Sequence, residues 1–188
     1  MRREKYWCDL AIGDDMNMVM QQKEAHHTLS VLVDNEAGVL ARVIGLFSGR
    51  GYNIESLTVA EVDQSTHLSR ITVVTTGTEQ VVQQIRHQLE RLVPVHSVAD
   101  LTITGKALER EMALVKIVST GEKRVESLRL ADAFRAKVVD TTHQSFVFEL
   151  TGAPSKLDAF IELMRPLGLA EVSRTGVAAI IRGSETMS

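Results

Sequence analysis

Residues 29–62 contain the pattern that decides the fold, and they read LSVLVDNEAGVLARVIGLFSGRGYNIESLTVAEV. A β-rich run over 28–33 precedes three short polar residues, 34–36, that are able to cap a helix. Gly51 stands where a left-handed residue ends a helix, and residues 52–62 have the composition of a second strand. The helix between them has an apolar face made of Val39, Leu40, Val43, Ile44 and Phe47. This stretch therefore predicts a strand, a helix and a second strand.

Further strand and helix patterns follow residue 62, and the whole order of elements is then repeated in the second half of the chain. A third strand is predicted around 70–75, a second helix over 81–92 that Pro94 ends, and a fourth strand over 95–103. A fainter copy follows, with strands at 114–118, 137–141, 145–150 and 170–181 and helices at 122–136 and after Pro154. Two copies of a split βαβ unit fit the length. The sequence predicts an α+β protein of two tandem ferredoxin-like βαββαβ sandwiches with antiparallel sheets.

The repeat also predicts domain boundaries. Residues 1–26 show neither helical nor strand periodicity and predict a disordered N-terminal extension. The first sandwich is placed at 27–104 and the second at 105–184, with a short tail at 185–188. Valine and isoleucine occur on both faces of several strands, so a sheet face without helices would be a liability. Pairing of the copies, within or between chains, is expected to cover it.

Composition excludes several classes of protein. The chain has 188 residues, 44% of them apolar and 24% charged, with a net charge of -3. This balance favours a soluble globular protein and supplies no positive field to hold a nucleic acid. Aromatic residues make up only 4%, too few for a base-stacking RNA platform. The single cysteine, Cys8, and the lack of a signal-peptide pattern predict a reducing, cytoplasmic compartment.

Catalytic and metal motifs are also missing. The six histidines lack the spacing of a metal site. The segment 48–51, SGRG, ends a helix and is followed by no Lys-Ser or Lys-Thr, so it does not form a phosphate loop. The sequence therefore predicts no catalytic residue, no metal site and no cofactor in this chain.

One segment, 34–40, carries a ligand signal. A turn from a strand into a helix exposes backbone N–H groups at the positive helix end, which suits a carboxylate. Gly38 lets a small ligand approach because it has no Cβ. The alternative is structural, with Asn35 as the N-cap of the helix and Gly38 as a packing glycine. The residues alone leave both interpretations open.

The run LSVLVDNEAGVLARV, 29–43, resembles the opening of an ACT domain, the amino-acid-sensing module. The run IGLFSGRGYNIESLTVA, 44–60, is more specific and is similar to the small, regulatory subunit family of acetolactate synthase. Segments 110–116, 156–160 and 174–178 agree, so the resemblance covers about 28–183. This sequence departs from the family pattern at Ala37, where many ACT domains have proline, and at Ala41, where close relatives often have serine.

The resemblance implies a non-catalytic subunit that binds and activates a catalytic subunit and confers feedback inhibition by valine or a related branched-chain amino acid. Thiamine diphosphate, Mg²⁺ and FAD are then expected in the catalytic partner. It also implies a homodimer through the ACT domains, with the effector between two chains. The implied effector residues are Asn35, Gly38, Val39, Leu40, Asn53 and Ile54. A free-standing ACT regulator of another target is the alternative.

Overall fold

A computed structural model describes residues 24–103 and 107–187, which form two α+β units in tandem. The predicted disordered extension, 1–26, lies outside the described residues up to residue 23, but its last two residues, Ala25 and His26, belong to the first strand and pair with Gly77 and Thr76, so the prediction was wrong there. The first half contains β1 (Ala25–Asp34), α1 (Val39–Ser48), β2 (Ser56–Asp63), β3 (Leu68–Gly77), α2 (Glu79–Leu89) and β4 (Val95–Asp100). The second half contains β5 (Ala107–Val118), α3 (Gly121–Phe134), β6 (Lys137–Thr141), β7 (Ser145–Gly152), α4 (Pro154–Met164), a 3₁₀ turn (Arg165–Leu167), β8 (Leu169–Arg174) and β9 (Ala178–Ile181).

The first sheet is antiparallel with the strand order β2-β3-β1-β4. Alternate residues of β1 point to the helices because side chains alternate along a strand. Leu29, Val31 and Val33 thus form one core with Val43 and Phe47 of α1. This order of strands and helices is the predicted ferredoxin-like arrangement.

The second sheet repeats that order as β6-β7-β5-β8. Val115 and Ile117 of β5 pack with Phe148 of β7 and with Phe160 and Met164 of α4. The helix α4 begins at Pro154, whose fixed φ suits the first helical turn. The prediction of two antiparallel ferredoxin-like units is therefore confirmed.

The last strand differs from its prediction. The residues predicted as one strand, 170–181, form two strands separated by residues 175–177. β9 pairs with the first four residues of β5, from Ala107 opposite Ile181 to Arg110 opposite Ala178. These two segments, 107–110 and 178–181, form a two-stranded ribbon that continues beyond the second sheet.

The ribbon packs on the face of the first sheet that lies away from α1 and α2. Val177 and Ala179 are buried there against Leu101, Val74 and Ala99. Val74 and Ala99 lie opposite Thr28 and Ser30, which alternate with the helix-facing residues of β1. Part of the predicted bare face is thus covered by the second half of the same chain.

No helix in the described ranges is long and apolar enough to span a membrane.

Candidate ligand site

The turn that leads from β1 into α1 ends in a left-handed glycine. Gly38 occupies the N-cap position with φ 87° and ψ -9°, and no side chain caps this end of the helix. Asn35 is therefore not the N-cap, and its backbone N–H instead donates to the carbonyl of His67 at 2.7 Å. No side chain caps the helix because the N-cap residue is glycine. Glycine has no Cβ and therefore adopts the positive φ that this turn requires.

The space in front of this helix end is open. A Cβ built on Gly38 would meet no atom within 4 Å, so Gly38 is not a packing glycine. Asn35 and Leu40 are also exposed. Helix geometry leaves the first-turn amides without intrahelical acceptors, and the helix dipole makes this end positive. The turn can therefore receive a small anion such as a carboxylate.

Val39 does not share this exposure. Its side chain is 3% exposed and lies in the core of the first half. Only its backbone faces the turn, and its N–H points to the carbonyl of Glu36 at 3.4 Å. The expectation of an apolar ligand contact at this turn therefore rests on Leu40 and not on the side chain of Val39.

The turn is held in place by the neighbouring edge strand. The N–H of Asp34 donates to the carbonyl of Pro94 at 2.9 Å. The carboxylate Oδ1 of Asp34 lies 2.6 Å from Nε2 of His96. These contacts fix the end of β1 against the start of β4, so the open helix end is a preformed feature.

The second part of the predicted site, Asn53 and Ile54, lies in the loop before β2. The structure starts β2 at Ser56, later than the predicted start at residue 52. The hydroxyl of Thr75 donates to the carbonyl of Asn53 at 2.6 Å, which ties this loop to β3. The side chain of Asn53 is exposed, while Ile54 packs partly against the first core.

The two parts of the predicted site lie at opposite ends of the first sheet. Thr75, which holds Asn53, is paired with His27 near the start of β1, whereas the turn follows Asp34 at its end. Seven residues of strand separate these positions, which corresponds to about 23 Å. One chain therefore does not bring Asn35, Gly38 and Leu40 together with Asn53 and Ile54.

A charged cluster that the sequence analysis did not identify lies in the second half of the chain. Arg174 makes a bidentate ion pair with Glu111, with its Nε 2.8 Å from Oε1 and its Nη2 2.5 Å from Oε2. Its Nη1 also lies 2.6 Å from Oδ1 of Asp158 on α4. The hydrogen bonds to Glu111 raise the pKa of Arg174 above its ordinary value, so the guanidinium stays charged. Arg174 and Glu111 are 63 positions apart in the sequence, so no local sequence motif could predict this ion pair.

This cluster lines a cavity of about 730 Å³ between the halves. None of the six predicted effector residues lines it; its walls include Glu55 and Leu57 from the first half and Glu111 and Arg174 from the second. In residues 24–103 and 107–187, no group of three or more His, Cys, Asp or Glu side chains is arranged to hold a metal ion.

Known sequence families match both halves. Residues 29–97 match the family described as "AHAS small subunit-like ACT domain". Residues 110–183 match the family described as "Small subunit of acetolactate synthase". The boundary between the two matches falls near the segment that joins the two sheets.

Individual proteins agree with these matches over most of the chain. The acetolactate synthase isozyme 3 small subunit of Escherichia coli is 48% identical over 160 residues, which is 85% of this chain and 97% of that protein. The acetolactate synthase small subunit of Aquifex aeolicus is 42% identical over 157 residues, covering 83% of this chain and 81% of that protein. The crystal structure of the acetolactate synthase small subunit from Thermotoga maritima superposes with a TM-score of 0.77 at 36% identity, covering 86% of this chain and 99% of that one.

Proposed function

Because this chain belongs to the family of acetolactate synthase small subunits, which are regulatory and not catalytic, we propose that it confers feedback inhibition by valine or a related branched-chain amino acid. It binds a catalytic large subunit, raises its activity, and acts in the cytoplasm. The cofactors of the reaction belong to that catalytic subunit. Residues 27–104 form the effector-binding and dimerising unit, and residues 105–184 form the second unit.

The effector site is completed by a second copy of the chain. The strand β2 is at the edge of the first sheet, so its outer backbone groups are available to another strand. Antiparallel pairing of two β2 edges about a two-fold axis places the start of one β2 near the end of the other. Asn53 and Ile54 of one chain then approach the Asn35–Leu40 turn of its partner. Within one chain, about seven strand residues separate the two parts of the site. In this dimer, the two parts that come together belong to different chains.

The chemistry of this composite site matches an α-amino acid. The open amides at the start of α1 can bind the carboxylate, since that helix end is positive. The side-chain carbonyls of Asn35 and Asn53 can accept hydrogen bonds from the ammonium group. Leu40 and Ile54 supply apolar surface for a branched side chain. The uncapped end of α1 in front of Gly38 is the single observation that carries the proposal.

The test is acetolactate production by the catalytic subunit from the same source, measured with and without this chain and with and without valine. We expect the chain to raise the rate and valine to reverse that increase. An unchanged rate with an intact catalytic subunit would contradict the proposal. It would favour the alternative, a free-standing ACT regulator of another target.

The proposed dimer predicts that an arginine on the β2 edge separates the chains. Val59 and Val62 are 45% and 51% exposed on that strand. In a Val59→Arg variant, two like charges would meet across the two-fold axis, so we expect a monomer by sedimentation velocity at concentrations where the unaltered chain is dimeric. Val93→Arg is the matched control, because Val93 is 97% exposed and lies outside β2. A dimer that survives Val59→Arg would rule out pairing through this edge.

A further inference from the structure

The segment between β8 and β9, residues 175–177, bridges the two halves and is called the clasp loop below. The N–H of Val177 donates to Oγ of Ser56 at 2.9 Å, and Oγ1 of Thr58 donates to the carbonyl of Val177, also at 2.9 Å. Both acceptor and donor belong to β2 of the first half, 119 to 121 positions away in sequence. The backbone of the clasp loop thus binds β2 through the side chains of Ser56 and Thr58.

The approach between the clasp loop and β2 requires glycine. Gly176 has φ 83°, and a Cβ at this position would lie 2.8 Å from Oγ of Ser56 and 3.0 Å from Cγ2 of Thr58. The backbone carbonyl of Leu57 would be 3.4 Å away. With a larger residue, either the Ser56 side chain must turn away, which would break its hydrogen bond with Val177, or the loop must move away from the strand.

The other side of the clasp loop is fixed to the second half. Thr175 exchanges hydrogen bonds with the backbone of Met112, with its N–H 3.0 Å from the Met112 carbonyl and its Oγ1 3.1 Å from the Met112 N–H. The preceding residue, Arg174, is held by Glu111 and Asp158. β2 is therefore linked through the clasp loop to β5, and through Arg174 to α4.

The clasp loop contacts the start of β2, just after the candidate effector residues Asn53 and Ile54. Ser56 comes two residues after Ile54, and the intervening Glu55 donates its N–H to the carbonyl of Val74 at 2.9 Å. Asn53 is held to β3 by Thr75. Within the described residues, this places the clasp contact on the same tightly bonded segment as the proposed ligand contacts.

We propose that the clasp loop couples effector binding at Asn53 and Ile54 to the second half of the chain. The inference rests on the proposed function, since it assigns a route of regulation to the same site. Effector binding shifts the segment 53–58, and the clasp loop converts that shift into a displacement of β5 and α4. A chain with a broken clasp still binds the effector but no longer passes the signal on.

The decisive variant is Gly176→Ala, with Gly183→Ala as its matched control. Both glycines have similar positive φ, 83° and 90°, so alanine brings similar backbone strain at each. Only the Cβ at residue 176 meets β2, because nothing lies within 4 Å of a Cβ at residue 183. Ser56→Ala is the second variant, since it removes the acceptor of Val177 N–H without adding bulk.

Two quantities are measured for each variant. The first is the valine Kd of the free small subunit by calorimetry, and the second is the ratio of complex activity without valine to activity at saturating valine. For Gly176→Ala we expect a Kd within about twofold of the unaltered chain and a ratio reduced by about fivefold or more, the lower range of typical allosteric coupling. Ser56→Ala is expected to shift the ratio in the same direction, and Gly183→Ala is expected to leave it unchanged.

Three results would overturn the inference: full valine inhibition in Gly176→Ala, loss of valine binding in that variant, or an equal loss of inhibition in Gly183→Ala. If Gly176→Ala does not fold, Ser56→Ala decides, and full inhibition there overturns the inference as well. Failure of the proposed function is distinguishable, because then the unaltered chain itself would neither bind valine nor confer inhibition.

Discussion

A Gly38→Asp variant is expected to keep activating the catalytic subunit but to lose valine inhibition. The new carboxylate would stand at the open end of α1, where the effector carboxylate is proposed to bind. At an effective dielectric constant near 20, two like charges about 5 Å apart repel by about 3 kcal/mol, which corresponds to roughly 100-fold in affinity. A side chain at the positive φ of residue 38 costs about 1–2 kcal/mol in backbone strain, but it would point into open space, so we expect the fold to survive.

Two controls separate charge from other effects in that experiment. Gly45→Asp adds the same carboxylate to α1, also with no atom within 4 Å of its Cβ, but two turns further along the helix. Gly38→Ala brings the strain of a positive φ without the charge. The measurement is the valine Kd by calorimetry, together with the inhibition of the complex. An unchanged valine Kd in Gly38→Asp would show that the effector carboxylate binds elsewhere.

An Arg174→Ala variant is expected to lower the free energy of unfolding by roughly 2–4 kcal/mol, as removal of one partner from a buried ion pair does. Glu111 is only 5% exposed and would be left as a buried carboxylate without its cation. Arg174 itself is about one third exposed, so water that enters the gap recovers part of the loss. Urea unfolding of the free chain at neutral pH measures the change.

Arg165→Ala is the matched control for that prediction. Arg165 also forms an ion pair, with Glu162 at 2.8 Å, but both side chains are mostly exposed. Exposed ion pairs contribute about 0–1 kcal/mol, so we expect little change in the unfolding midpoint. Equal destabilisation by the two substitutions would show that the burial of Glu111 does not set the strength of the Arg174 pair.

The sequence by itself determined the family and the order and type of most regular elements, with the last predicted strand as the exception. The helix α1 and strand β1 were predicted correctly because apolar spacing at a period of 3.6 or 2 reports directly on local conformation. Gly51 was placed correctly as a left-handed residue, with φ 70°, because glycine alone occupies that region without cost. The run at 44–60 identified the family, which the sequence and structure comparisons confirmed.

Prediction was weaker wherever an element depends on a distant partner. Residues 170–181 have the composition of one strand, and the break at Gly176 follows from a contact with Ser56 that lies 120 positions away. Asn35 is a residue type that often caps helices. In the structure its backbone N–H donates to the carbonyl of His67, and Gly38 occupies the N-cap position instead.

Only the tertiary structure decided how the candidate residues are arranged in space. It placed Asn35 and Asn53 at opposite ends of one sheet, and it joined Arg174 to Glu111 and the clasp loop to β2. The physical reason is that periodicity and turn preferences act between near neighbours in the chain, whereas strand pairing and burial bring together residues of large sequence separation. The local chemistry of the turn at residues 34–40 could therefore be inferred from the sequence, whereas the contacts between the two halves could not.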